Sequence, residues 1–129
     1  MEYTFIIILI ALLQYLFFVG RTGFSREKYG VKAPKTVGHD VWERIFRVQQ
    51  NTMEQLIIFI PGRLLFSQYV GVVWALIPGL AFVIGRQIYS HLYVKDPASR
   101  GPGMIMSFFA NIALVIGSLI GIGISLFGV

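Results

Sequence analysis

Four apolar stretches, Tyr3 to Val19, Ile45 to Phe66, Tyr69 to Tyr93 and Met104 to Phe127, occupy most of this 129-residue chain. Each has about the 20 residues that a helix rising about 1.5 Å per residue needs to cross a hydrocarbon core of about 30 Å. In lipid every backbone amide must be satisfied within the protein, which leaves helices and closed strand barrels. The stretches lack the apolar–polar alternation of barrel strands, so helices are expected. The expected fold is an all-α membrane protein, one four-transmembrane-helix bundle spanning residues 1–129, with helices at about 3–20, 40–67, 70–94 and 103–127. Only 13% of the residues are charged, against about 25% in soluble domains, and the mean hydropathy is +0.72.

The net charge of +5 is unevenly spread. Arg21, Arg26, Lys28, Lys32 and Lys35 fall between the first two stretches, and Lys95 and Arg100 between the last two. Excess Lys and Arg marks the cytoplasmic side, so both basic loops are expected there and both chain ends on the opposite side. Such a rim suits anionic lipid headgroups or the steering of an anionic cytosolic substrate. Met1-Glu2 is no basic leader and Arg21 supplies a positive flank after the apolar run, so the first stretch is expected to remain as a helix. With such a short chain, the expected location is a bacterial inner membrane, with an internal eukaryotic membrane as the alternative. There is no cysteine, so any sulfur chemistry must use a sulfur brought by the ligand.

Between the stretches, Thr22 to His39 reads as an irregular loop and Asp40 as a helix N-cap. Pro61-Gly62 and Pro78-Gly79 are expected to kink their helices. Small residues at Gly117 and Gly121 allow close packing, within the chain or between copies. Trp42 is expected as an interfacial anchor and Trp74 as a buried residue near a membrane boundary. His39 and His91 are too isolated to hold a metal, and none is expected; nor is a nucleic acid partner.

The chemistry sits in the segment Trp42 to Glu54. At 100° per residue Arg44, Arg47, Asn51 and Glu54 fall within roughly an 80° arc, a polar stripe at the mouth of an apolar helix. Ionised groups at membrane depth cost a few kcal/mol each, which makes the stripe a functional-site candidate. Near the end of the third helix Arg86, Tyr89 and Tyr93 lie within about 60° of one another. Antiparallel neighbours bring the two clusters to one depth, with Arg100 in the following loop. Guanidinium groups hold carboxylates by bidentate charge-assisted bonds, and Glu54 accepts from an ammonium or holds an arginine. A ligand with carboxylates, an amine and peptide amides fits, and glutathione is such a molecule. A guanidinium beside its thiol, of ordinary pKa about 8.5, would increase the thiolate fraction at neutral pH; Arg100 is the candidate. The alternative is structural: Arg–Glu pairs that bind helices together and tyrosines that sit at the interface.

Glu43-Arg44-Ile45-Phe46-Arg47-Val48-Gln49-Gln50-Asn51-Thr52-Met53-Glu54 resembles, at every specified position, the E-R-x-x-R-x-x-x-N-x-x-E signature of the membrane-associated proteins in eicosanoid and glutathione metabolism, MAPEG. The later Arg86-x-x-Tyr89-x-x-x-Tyr93, followed by Arg100, is also similar, and the resemblance covers nearly the whole chain. It implies a homotrimer that binds glutathione between subunits near the cytosolic helix ends. Carried over position by position, Arg26, Arg47, Gln49, Asn51, Glu54, Tyr89 and Tyr93 would bind glutathione. Arg86 would lie at the edge of that site, and Arg100 would bind glutathione and stabilise its thiolate. Two departures bear on specificity. Gln55 stands where leukotriene-type members have a tyrosine, and Glu27 where they have an arginine proposed to act on a lipid epoxide. The run Asn51 to Glu54 also looks like that of prostaglandin E synthase relatives. The leading expectation is a detoxifying glutathione transferase or lipid-hydroperoxide peroxidase whose hydrophobic electrophile arrives from the membrane lipid. A non-catalytic lipid-binding scaffold and a small multidrug transporter are the alternatives.

Overall fold

A computed structural model describes residues 1–128. Its four long helices are α1 (Glu2–Tyr29), α2 (Asp40–Tyr69), α3 (Leu76–Lys95) and α4 (Gly101–Phe127), with a single 3-10 turn, Pro97–Arg100, leading into α4. Two segments, Glu2–Tyr29 and Pro97–Phe127, are long and apolar enough to cross a bilayer.

The chain runs up and down. Thr4 and Ser67 share a hydrogen bond at one end of α1 and α2, while the Trp42 indole N–H donates to Thr22 O at the other. Arg44 Nε donates to Val94 O, 3.1 Å away, and the buried Arg63 donates to Ala75 O, so α2 and α3 are likewise antiparallel. The core draws on all four helices: Ile7 and Ala11 of α1, Leu56 and Phe59 of α2, Phe82 of α3, and Ala110 and Leu114 of α4. Phe59 and Phe82 stack with centroids 4.0 Å apart, a geometry worth about 0.5–1.5 kcal/mol beyond buried area. A second cluster of Phe18, Val48, Tyr89 and Tyr93 lies toward the other end of the bundle.

Small residues set the helix spacing, because close backbone approach is the main source of packing energy where lipid is as apolar as the side chains. A Cβ at Gly103 would overlap the Tyr89 backbone, and one at Gly85 would meet Met106 Cβ at 2.9 Å. These glycines bring α4 against α3 beside the second cluster. Gly117 and Gly121 face Phe66 and Tyr69 of α2, so the small-residue pair serves packing within the chain.

Several local expectations are corrected. Helix α1 continues to Tyr29, through residues expected to be loop, and stops where Gly30 adopts a left-handed conformation at φ 70°. No proline interrupts Arg21 to Tyr29, and Arg26 and Lys28 sit favourably in the last turn. Helix α3 starts at Leu76, leaving Val70 to Ala75 as turns; Pro78 falls in its first turn, where the missing N–H removes no bond. His39, not Asp40, caps α2, its Nδ1 accepting from Val41 N at 3.1 Å. The tryptophans exchange roles. Trp42 is fully buried, stacked on Phe46 and covered by the Arg26 guanidinium 4.5 Å from its ring, whereas Trp74 is 66% exposed in the α2–α3 connection.

Candidate functional site

Between α2, α3 and the start of α4 lies a cleft of about 230 Å³ lined by Arg47, Gln50, Asn51, Glu54, Tyr89, Tyr93, Arg100 and Met104. Helical periodicity explains the α2 contribution: positions 47, 50, 51 and 54 recur at the three- and four-residue spacing of one face. Arg47, Glu54 and Arg100 are exposed, so two cations and one carboxylate stand at the opening. Tyr89 and Tyr93 are buried against the bundle, rings stacked at 5.2 Å and 12°.

Arg86 supports this wall from within. It is 1% exposed and donates from Nη1 to Asn51 Oδ1 at 2.5 Å, from Nη1 to Thr52 Oγ1 at 3.4 Å and from Nε to Ser107 Oγ at 2.9 Å. Its guanidinium also lies 4.6 Å from the Tyr89 ring centroid. One side chain thereby links α3 to α2 and α4 and fixes two cleft residues, Asn51 and Tyr89. Ser107 passes the contact on to Gly103 O at 2.9 Å, the glycine that lets α4 approach. Arg86 also borders an adjoining hollow with Asn51, Gln55 and Met104.

Of the residues singled out in the sequence, Arg47, Asn51, Glu54, Tyr89, Tyr93 and Arg100 converge on the cleft. Arg26 and Gln49 do not line it. Arg26 packs on Trp42 and donates to Lys35 O at 2.7 Å, and Gln49 lies on the side of α2 turned away from Arg47. Arg44, part of the expected stripe, is spent on Val94 O, where it satisfies a carbonyl in the last turn of α3. Gln50 and Met104 were missed. Gln50 is three residues after Arg47 and four before Glu54, so helical spacing alone would have found it.

The chemistry available is recognition of a small zwitterionic or anionic molecule. Arg47 and Arg100 can each grip a carboxylate or polarise a thiol, Glu54 and Asn51 can take up ammonium or amide groups, and the phenols can donate. Among the described residues no group of three or more His, Asp or Glu side chains is arranged to hold a metal ion.

A family model described as the MAPEG family matches residues 4–120. An uncharacterized protein of the cyanobacterium Synechocystis is 38% identical over 113 residues, covering 88% of this chain and 82% of its own length. A probable microsomal glutathione S-transferase of Dictyostelium discoideum is 30% identical over 112 residues, 83% of this chain and 75% of that protein. Human microsomal glutathione S-transferase 2 is 34% identical over 94 residues, 73% of this chain and 64% of its own.

Proposed function

The chain belongs to the MAPEG family, a family of membrane proteins, and from that premise we propose that it is a glutathione-dependent transferase or lipid-hydroperoxide peroxidase. The observation that carries this reading is the convergence of Arg47, Asn51, Glu54, Tyr89, Tyr93 and Arg100 on one cleft. In this reading Arg47 takes a carboxylate of glutathione, Glu54 takes its ammonium, and Asn51, Gln50 and the phenols take its amides. Arg100 holds the sulfur as thiolate, and the electrophile reaches it from the bilayer. Binding positions the two reactants and the cationic surroundings favour the anionic nucleophile, the two largest sources of acceleration for such a step.

All four helices cross the membrane in this account. The outward faces of α2 and α3 support it, for Ile57, Ile58 and Leu65 and also Ile77, Leu80 and Ile84 are exposed in the single chain. The basic ends of α1 and α3 face the cytoplasm, both termini face away from it, and the membrane is a bacterial inner membrane, in keeping with the cyanobacterial relative. The assembly is a homotrimer with glutathione between copies. That arrangement gives Arg26 and Gln49, which lie outside the cleft of their own chain, a route to the ligand from a neighbouring copy.

The transporter alternative needs an isolated carboxylate in a largely uncharged bundle, whereas Glu54 shares its cleft with Arg47 and Arg100. Equilibrium dialysis of the purified protein with glutathione, followed by turnover of chlorodinitrobenzene, tests the reading. Saturable binding with conjugate formation is expected; binding without turnover favours the lipid-binding scaffold, and neither removes glutathione from the account.

A further inference from the structure

The side of α3 turned away from the cleft carries a second set of polar groups. Gln87 and His91 precede Tyr89 and Tyr93 by two residues, about 200° around the helix, so they face the opposite way. Both are exposed, as is Lys95 one turn beyond. The neighbour on this side is α1, which runs in the same direction as α3. Gln14 Nε2 donates to Val83 O at 3.0 Å and to Gln87 Oε1 at 3.3 Å. Arg21 and Lys28 follow Gln14 at seven-residue intervals, close to two helical turns each, so all three lie along one edge of α1. Two turns beyond the Gln14–Gln87 contact, Arg21 stands level with the turn of α3 that contains His91.

Arg21 is the first charge after the apolar stretch Tyr3 to Val19, which places it where hydrocarbon gives way to headgroups. The surface flanking the seam is apolar and outward-facing, with Leu13, Phe17 and Ile84 exposed. Arg21 Nε and Nη2 nevertheless have no hydrogen-bond partner. Donors on one edge of a guanidinium take two oxygens of a single carboxylate or phosphate in parallel. The guanidinium carbon lies 5.8 Å from the Phe17 ring centroid and 5.2 Å from that of Phe18. These rings support the side chain at the helix edge, while its length lets the charged head swing toward the headgroup layer. The two carboxylates nearest in sequence are directed elsewhere. Those of Asp96 accept from Ala98 N at 3.1 Å and Ser99 Oγ at 3.4 Å, and Glu27 lies about 100° from Lys28 around α1.

We propose that the α1–α3 seam binds the phosphate of an anionic phospholipid of the cytoplasmic leaflet. Arg21 grips the phosphate oxygens, Lys95 and Lys28 beyond it attract the negative headgroup, and an acyl chain descends past Phe17 and Ile84. The inference rests on α1 and α3 crossing the membrane and is independent of what the cleft binds. Basic sites between membrane helices on the cytoplasmic side suit anionic headgroups. A zwitterionic lipid offers the same phosphate, but its own ammonium is repelled by the surrounding cations. A lipid held in this way braces α1 against the face of α3 that lies behind the cleft tyrosines.

Native mass spectrometry of the purified protein, in micelles holding equal amounts of dioleoylphosphatidylglycerol and dioleoylphosphatidylcholine, tests the proposal. The wild-type protein is expected to retain the anionic lipid over the zwitterionic one by about tenfold. Arg21→Gln keeps a polar side chain but loses the charge and the fork, and should bring the two lipids within about twofold of each other. Lys32→Gln combined with Lys35→Gln removes more charge from the same side of the membrane but outside the seam. That variant should keep the wild-type ratio within about twofold. Inorganic phosphate, replacing chloride at equal ionic strength, should not displace the lipid. Equal retention of the two lipids by the wild-type protein overturns the proposal without recourse to any variant. An unchanged ratio in Arg21→Gln overturns it as well. So does an equal loss in the Lys32, Lys35 variant, which would mark diffuse attraction to the basic rim, or displacement by inorganic phosphate, which would make the ligand a soluble anion.

Discussion

The guanidinium of Arg86 donates to the side-chain oxygen of Asn51 at 2.5 Å, so a wholly buried cation on α3 fixes a cleft residue on α2. The same group reaches Ser107 on α4 at 2.9 Å, and an ammonium has no planar fork to serve both directions. Arg86→Lys is expected to lose one of these bonds, each worth about 1.5–3 kcal/mol with a charged donor. Thermal unfolding of the solubilised protein should show lower stability, and calorimetry about tenfold weaker glutathione binding. Unchanged values for both would mean that Arg86 does not organise the cleft.

Glycine substitutions separate close approach from helix propensity. Alanine at Gly103 would place a Cβ against the Tyr89 backbone, and overpacking of this kind costs about 1–3 kcal/mol. Because Arg100 lies three residues earlier, the displaced start of α4 should also weaken glutathione binding. At Gly23 a Cβ meets nothing within 4 Å inside helix α1, so alanine there should stabilise by up to about 1 kcal/mol. Parallel melting curves of Gly103→Ala and Gly23→Ala decide this, with shifts of opposite sign expected.

Gln50 offers a test of the cleft that is independent of its charges. Its side chain lines the wall between Arg47 and Glu54, and loss of one neutral hydrogen bond is worth about 0.5–1.5 kcal/mol. Gln50→Ala should weaken glutathione binding roughly 2- to 10-fold, less than Arg47→Ala, which removes a charge-assisted contact. Equal effects of the two substitutions would contradict the assignment of Arg47 to a ligand carboxylate.

The tryptophans give an optical check of the fold. With Trp74 replaced by Phe, emission comes from Trp42, which is fully buried, and should resist quenching by acrylamide. With Trp42 replaced by Phe, the remaining Trp74 is 66% exposed and should be quenched by acrylamide or by brominated lipid. Trp42→Phe should also lower stability by about 1 kcal/mol, having lost the bond to Thr22 O.

What was legible in the sequence was what depends on local periodicity. The arc holding Arg47, Asn51 and Glu54 follows from helix geometry, as does the shared face of Arg86, Tyr89 and Tyr93, and short connections between helices brought the two faces together. What escaped depends on contacts between distant segments. Nothing near Trp42 announces that Thr22 and Arg26 will bury its indole, because α1 had first to extend past its apolar stretch. Arg44 fits the stripe by angle, yet Val94 O at the end of α3 claims it. Asn111 reads as an ordinary polar interruption until Gln55, 56 residues earlier, is found beside it. Gln50 is a different matter: its spacing placed it on the cleft face, and the reading by resemblance favoured its neighbour Gln49.

Ultraviolet difference absorbance of glutathione added to the purified protein reports whether the cleft ionises a bound thiol. Free thiol has a pKa of about 8.5, so at neutral pH little thiolate exists without help. A saturable thiolate band at neutral pH is expected in the wild-type protein, abolished in Arg100→Ala although glutathione still binds. Glutathione that binds with no thiolate band, or a band of full strength in Arg100→Ala, would contradict it.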